Sequence, residues 1–245
     1  MPVVKSLTPV GVDFFCLFGD MKPARQVITT SPHRSVGAVH ASWFQSDPIH
    51  HESFLEKSCI EILLLMPMAE QIRHQPMTLT YMVDDTERRH IPDFQVRLRD
   101  GTHIVVEVKP EALLDEHRRK FDCCSAQLTN AGIEYYVCTD AWLTDERVGR
   151  AECLRDQARR SAPADELAGL LNLVRSRQDL LIADALAQGF SHHVIGHAVG
   201  RRLLTAGPQL DISPSNRLTS MEHEDEHVRC SDWLGSPPWG QNVAI

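Results

Sequence analysis

The stretch from His90 to Pro110 constrains the fold more than any other part of the chain. Apolar residues alternate with polar ones on both sides of Asp100-Gly101, which predicts two strands joined by a tight turn. A two-residue turn would place Phe94 opposite Glu107 and so mix apolar and charged residues on one face. A three-residue loop, with Gly101 in the left-handed conformation, instead pairs Leu98 with Thr102, Val96 with Ile104 and Phe94 with Val106. The hydrophobic pattern therefore selects the three-residue loop.

The same register brings two carboxylates together. It places Asp93 opposite Glu107, with Lys109 two residues further along the same face. Carboxylate oxygens are the ligands that Mg²⁺ and Mn²⁺ prefer, and the carbonyl of Val108 would add a backbone oxygen. A lysine there would orient a water molecule or offset charge that develops on a phosphate. The set suits metal-assisted hydrolysis of a phosphodiester, and the alternative is a half-exposed hairpin whose polar face is charged without chemistry.

Length, charge and cysteine content limit the alternatives. A chain of 245 residues forms one large domain, or a main domain with a smaller one. Its net charge of −8 means that any contact with DNA must be local or shared with a partner. Seven cysteines without Cys-x-x-Cys spacing favour a reduced, cytoplasmic protein over a disulfide framework or a zinc ribbon. The apolar run Val12–Phe18 is too short for a signal or membrane helix.

The segments around the hairpin predict a mixed sheet with helices on both faces. A helix is expected from about Ile49 to Leu65, where Glu52 and Glu56 lie one turn apart, and spacing alone does not decide which would supply a third carboxylate. A strand from Gln75 to Val83 and a charged turn over Asp84–Arg89 would make the hairpin part of a three-stranded meander. A helix over residues 111–130 and a strand over residues 133–138 then predict a right-handed crossover to a parallel strand.

An ordered set of motifs resembles a known family. The motifs are Ser53-Phe54-Leu55-Glu56, Gln75-Pro76, Pro92-Asp93-Phe94, Glu107-Val108-Lys109-Pro110 and Val137-Cys138-Thr139-Asp140. Their order, over roughly residues 34–144, resembles that of TnsA-type endonuclease subunits of heteromeric transposases. The resemblance implies an α/β, restriction-endonuclease-like fold with a PD-(D/E)xK site. It also implies Glu56, Asp93, Glu107 and Lys109 as catalytic residues, with Mg²⁺ or Mn²⁺ held by Asp93, Glu107 and Val108. The family fills the position of Glu107 with Glu or Gln.

The resemblance further implies an activity and partners. The activity would be cleavage of the 5′ strands at transposon ends, beside a TnsB-type DDE transposase that cuts the 3′ strands, with a TnsC-type ATPase regulator as a second partner. Arg34, Gln75 and Arg97 are the candidates for DNA contact, although Arg34 lies in a predicted loop where a solvated side chain is the simpler interpretation. A stand-alone restriction or repair nuclease, and a nuclease-like adaptor without catalysis, remain open as alternatives.

The predicted organisation has four parts: an N-terminal extension over residues 1–45, the nuclease core over 46–144, a helical domain over 145–210 and an acidic, mobile tail over 211–245. Within the helical domain, Ala183–Gly189 and His192–Leu204 are typical of a helix-turn-helix module. The resemblance implies a winged-helix-like domain that docks protein partners, and a small helical cap is the alternative. Trp233 and Trp239 are the only indication that the tail contacts a partner.

Overall fold

The structure of the protein is a computed structural model, which describes residues 35–177, 180–221 and 229–241. The predicted DNA contact Arg34 lies outside the described residues. Within the described ranges, no helix has the length and apolar character needed to cross a membrane.

The described residues contain short strands and helices throughout. The strands are β1 (Gly37–Val39), β2 (Ile49–His51), β3 (Ala69–His74), β4 (Leu79–Val83), β5 (Thr86–His90), β6 (Phe94–Leu98), β7 (His103–Val108), β8 (Glu134–Cys138), β9 (Leu180–Leu181), β10 (Leu204–Thr205) and β11 (Arg217–Ser220). The helices are α1 (Phe54–Leu63), α2 (Leu114–Asn130), α3 (Asp145–Arg159), α4 (Ala164–Arg177), α5 (Ile182–Ala187), α6 (His192–Gly200) and α7 (Cys230–Leu234), with a single 3-10 turn at Glu111–Leu113 before α2.

The central sheet has the strand order β3-β6-β7-β8. The β6–β7 hairpin has the predicted register, with Phe94 opposite Val106 and a three-residue loop in which Gly101 has a φ of 85°. β7 and β8 are parallel, as the strand–helix–strand order predicted. Alternate residues of β7 face opposite ways, so Val106 packs in one apolar core with α1 and Val105 in another with α2. The predicted mixed sheet with helices on both faces is confirmed.

Two predictions next to this sheet were wrong. The strand from Gln75 to Val83 was expected to join the central sheet, but β4 pairs with β5 in a separate two-stranded sheet that contacts α2. The turn predicted over Asp84–Arg89 is confined to Asp84 and Asp85, which have φ values of 49° and 58°, and β5 starts directly after them. The fourth strand of the central sheet is β3, whose sequence Ala-Glu-Gln-Ile-Arg-His does not alternate clearly enough to be recognised.

The second half of the chain contains a winged-helix arrangement. Helices α5 and α6 occupy the two predicted helix-turn-helix segments, and β9, β10 and β11 form a three-stranded sheet in the order β10-β11-β9. β11 lies beyond residue 210, where the helical domain was predicted to end. The domain extends further because β11 pairs with both β9 and β10. The sequence around β11 shows no periodicity that would predict a strand.

Helix α6 is covered by α3. In helix-turn-helix modules the second helix reads bases in the major groove, yet residues 194–200 of α6 are all buried. The backbones of the two helices come so close that a Cβ on Gly200 would lie 2.2 Å from the carbonyl oxygen of Leu154. In this structure residues 194–200 of α6 therefore present no free face to a DNA groove.

Gly200→Ala is expected to separate α3 from α6 and to lower the free energy of unfolding by about 2–3 kcal/mol, because the added methyl group meets a rigid backbone oxygen. Urea unfolding followed by circular dichroism measures this change. Gly149→Ala is the matched control, since a Cβ at Gly149 in α3 has no atom within 4 Å. That substitution is expected to stabilise the helix by about 0.5–1 kcal/mol. Equal effects of both substitutions would contradict the close packing.

Residues 229–241 pack along the edge of the central sheet. Trp233 is only 1% exposed, and its carbonyl accepts hydrogen bonds from the indole of Trp142 and the guanidinium of Arg147. Further on, the backbone N–H of Trp239 donates to the carbonyl of Tyr135 in β8 at 2.7 Å. The sequence predicted a mobile tail over 211–245, whereas its described part forms β11 and α7 and covers β8. The acidic composition of this segment favoured a mobile tail, but its two tryptophans pack on the protein's own core.

Candidate active site

Asp93 and Val108 are joined across the hairpin. Asp93 precedes β6, Val108 ends β7, and the backbone N–H of Val108 donates to Oδ2 of Asp93 at 2.8 Å. Burial, together with the negative charges of Glu107 and Glu56, raises the pKa of Asp93 well above its ordinary value. The fold therefore holds the Asp93 carboxylate where burial and neighbouring negative charges disfavour its ionised form.

Glu107 lies almost completely inside the protein, at 3% exposure. Its Oε2 is 2.7 Å from Nε2 of His90 at the end of β5, and its Oε1 accepts a hydrogen bond of 2.9 Å from Nζ of Lys120 in α2. Burial by itself would raise the pKa of Glu107. The hydrogen bond and charge of His90, with the ammonium of Lys120, outweigh burial and bring the pKa below its ordinary value.

Glu56 caps helix α1. The hydroxyl of Ser53 accepts the backbone N–H of Glu56 at 3.1 Å and donates to Oε1 of Glu56 at 2.9 Å, and Oε2 accepts the backbone N–H of Glu52 at 2.6 Å. This Ser-x-x-Glu arrangement is a variant of the capping box. The charge of Glu56 nevertheless reaches the site, because it contributes to the raised pKa of Asp93. Glu56, one of the two glutamates that sequence spacing left open, therefore has a charge that acts on Asp93.

Lys109 lies at the end of the central strand β7, directly after its last residue. Its backbone N–H donates to the carbonyl of Cys138 at 3.0 Å, which fixes the main chain beside the end of β8. The side chain is half-buried, and among the described residues its ammonium has no hydrogen-bond or ion-pair partner. A lysine ammonium without such a partner can contact a phosphate oxygen or a water molecule.

The two remaining candidates for DNA contact lie in different surroundings. Gln75 is 8% exposed, has a φ of 45°, and donates its backbone N–H to the carbonyl of Asp93 at 2.8 Å. Arg97 is exposed on β6, with its Nη1 3.3 Å from Oε2 of Glu70. Gln75 therefore supports the backbone at Asp93, and Arg97 lies on the surface. Contact of either side chain with DNA stays a prediction.

The donor set fits a hard divalent cation in charge and in ligand type. Asp93 and Glu107 offer carboxylate oxygens and Val108 offers a carbonyl, and a bound cation would offset the burial and the neighbouring negative charges that raise the pKa of Asp93. No group of three His, Cys, Asp or Glu side chains that could hold a metal ion occurs among the described residues. These residues therefore provide two side-chain ligands for a cation, and its remaining ligands would be backbone, water and phosphate oxygens.

His90 and Lys120 are functional candidates that the sequence did not reveal. Each lies in a run of charged residues, Thr-Glu-Arg-Arg-His and His-Arg-Arg-Lys, that is typical of a solvated face. Only the three-dimensional fold brings the side chains at the end of β5 and on α2 to Glu107. No spacing rule along the chain connects positions 90, 107 and 120, so nothing in the sequence could have selected them.

A mixed sheet with Asp at the start of one central strand and Glu-x-Lys at the end of the next defines the restriction-endonuclease-like class of fold. Residues 67–140 match the family described as TnsA-like endonuclease N terminal, so this part of the chain is a TnsA-like endonuclease domain and the resemblance to that family is confirmed. The match includes Asp93, Glu107 and Lys109, whereas Glu56 precedes it. No curated protein matches the chain.

Proposed function

We propose that the protein is a metal-dependent DNA endonuclease that cuts the 5′ strands at transposon ends, beside a TnsB-type DDE transposase that cuts the 3′ strands. The observation that carries the proposal is the arrangement of Asp93, Glu107 and the unpaired Lys109 at one edge of the sheet, inside the TnsA-like part of the described chain. A buried Asp93 carboxylate whose charged form is disfavoured suits a cation, and a lysine ammonium without a partner suits a phosphate, because each ligand would cancel a charge that the fold leaves unpaired.

Each residue has a defined part in this reaction. Asp93, Glu107 and the carbonyl of Val108 would hold Mg²⁺ or Mn²⁺, which when bound supplies a nucleophilic water and offsets charge on the phosphate. Lys109 would donate a hydrogen bond to the attacking water and orient it, or to a phosphate oxygen and stabilise the negative charge that develops on the phosphoryl oxygens. Glu56 fixes the start of α1 and adds negative charge near Asp93.

The charge of the protein supports recruitment by partners. A net charge of −8 disfavours independent binding to DNA, and α6 is buried against α3. We therefore propose that the transposase brings the transposon end to the active site, with a TnsC-type ATPase regulator as a second partner. The winged-helix domain would dock a protein. The described cysteines are all free thiols, which agrees with the proposed location in the cytoplasm.

The test is cleavage of a transposon end labelled separately on each strand, with the partner transposase and Mg²⁺. The wild-type protein is expected to add a 5′-strand cut, and Lys109→Met is expected to reduce that cut by about a hundredfold or more while the 3′ cut persists. Lys57→Met is the matched control, because Lys57 pairs with Glu152 on α3 and its loss should leave the cut unchanged.

The other outcomes separate the alternatives. A 5′ cut made without transposase would indicate a stand-alone nuclease of the same fold. A 3′ cut alone, identical with the wild type and with Lys109→Met, would indicate an adaptor and would overturn the proposed catalysis.

A further inference from the structure

Both carboxylate oxygens of Glu107 are already engaged by cationic or hydrogen-bonding side chains. His90 contacts Oε2 at 2.7 Å and Lys120 contacts Oε1 at 2.9 Å, with side-chain exposures of only 14% and 18%. Because the carboxylate is buried, it needs such partners to remain ionised. A divalent cation that binds Glu107 through an oxygen must therefore compete with one of these two side chains.

Lys120 is the partner that a cation would displace. Its ammonium carries a full positive charge, which repels a divalent ion held by the same carboxylate. Its side chain has four methylene groups and can swing, whereas His90 has a short side chain at the end of β5. In this position the Lys120 ammonium also lies 4.6 Å from the centroid of the Phe121 ring, so Glu107 is not its sole favourable contact.

We propose that Lys120 is a positioning residue that occupies the cation side of Glu107 in the metal-free protein and yields it when a divalent cation binds. The inference rests on the proposed metal-dependent nuclease function. It assigns Lys120 a role distinct from that of Lys109, whose ammonium is free for the phosphate.

The net charge of the site indicates why displacement of Lys120 would make cation binding depend on DNA. The carboxyl groups of Glu56, Asp93 and Glu107 supply at most three negative charges, and the ammonium groups of Lys109 and Lys120 with the imidazole of His90 offset them, so the site is close to neutral without a metal. A divalent cation alone makes it positive, whereas a cation together with a DNA phosphodiester restores neutrality. Lys120 would therefore keep the affinity for the cation low until DNA is present. The site would then hold its cation only in the assembled complex.

Calorimetric titration of the DNA-free protein with Mn²⁺ tests this role. Lys120→Met is expected to bind Mn²⁺ roughly tenfold more tightly than wild type, because a competing unit charge is removed from a buried ligand. Lys120→Arg, which keeps the charge, is expected to bind within about twofold of wild type. Arg119→Met is the matched control, since Arg119 is the next residue of α2 but pairs with the exposed Asp84, and its affinity should also equal that of wild type.

The remaining outcomes distinguish this inference from the function on which it rests. Unchanged or weaker Mn²⁺ binding by Lys120→Met, with binding abolished in Asp93→Asn, would overturn the role of Lys120 and leave the metal site standing. Absence of Mn²⁺ binding by the wild type would overturn both. Thermal unfolding shows whether each variant is folded. Lys120→Gln, which retains a hydrogen-bond donor for Glu107 without the charge, replaces Lys120→Met if the latter unfolds, and the same tighter binding is expected.

Discussion

Asp93→Asn is expected to lower the proposed 5′-strand cleavage by roughly a thousandfold or more, because it removes a charged ligand of the proposed metal ion and with it several kcal/mol of transition-state stabilisation. The substitution should leave the folded structure intact. The amide oxygen of the introduced asparagine would still accept the backbone N–H of Val108, which is the one hydrogen bond that joins the side chain of Asp93 to β7. Strand-resolved cleavage with Mg²⁺ measures the loss of activity.

The same substitution is expected to preserve or increase stability at neutral pH. The folded protein raises the pKa of Asp93, so the native state binds a proton more tightly than the unfolded chain does. The contribution of Asp93 to stability is therefore present below its unfolded pKa and is lost as the pH rises through the raised pKa. The asparagine side chain does not ionise, so the difference in unfolding free energy between variant and wild type should shift in favour of the variant as the pH rises.

Urea unfolding at several pH values between about 4 and 8 measures this difference. Asp165→Asn, at an exposed position in α4, is the matched control and should change neither cleavage nor the pH dependence of stability. If Asp93→Asn instead unfolds the protein or lowers its stability equally at every pH, Asp93 is a structural residue and its place in catalysis is contradicted.

Trp233→Ala is expected to lower the free energy of unfolding by about 3–5 kcal/mol, because Trp233 is the largest of the fully buried side chains among the described residues. The cavity would open between α7 and the core in which Ala151 and Leu154 also pack. Urea unfolding measures the change. Phe54→Ala is the aromatic control: Phe54 is 74% exposed, so its removal should change stability by less than about 0.5 kcal/mol. Similar small values for both would indicate that residues 229–241 do not belong to the folded core.

The sequence predicted the hairpin correctly because one physical constraint dominates there. Period-two alternation on both strands leaves a single register that buries all the apolar residues, and that register fixes the neighbours Asp93 and Glu107. The same alternation in β4 predicted a strand but could not show which sheet it joins, because pairing partners are set by tertiary packing. β3 was missed since an outer strand with Glu70, Gln71 and Arg73 shows little alternation.

The predicted site residues were limited in the same way. Motif order placed Asp93, Glu107 and Lys109 in one segment, but the contacts of Glu107 come from β5 and α2, whose residues are remote in the chain. The motif Ser-x-x-Glu at the start of α1 is also ambiguous, because the same residues are expected for a capping box and for a catalytic glutamate. Only the three-dimensional arrangement shows that Glu56 caps the helix and also lies within electrostatic reach of Asp93.

Helix α3 has a consequence for how the cut is located. It contacts α1 on one side and α6 on the other, with Lys57 paired to Glu152 and the buried Glu61 paired to Arg155 across the α1–α3 boundary. The winged-helix domain is thus attached to the nuclease through a packed helix rather than a loose linker. A partner that binds the winged-helix domain would therefore move together with the end of the central sheet that carries Asp93 and Glu107, at a fixed distance from it. On the proposed function, the docked partner would then set the position of the cut at a fixed distance from the winged-helix domain.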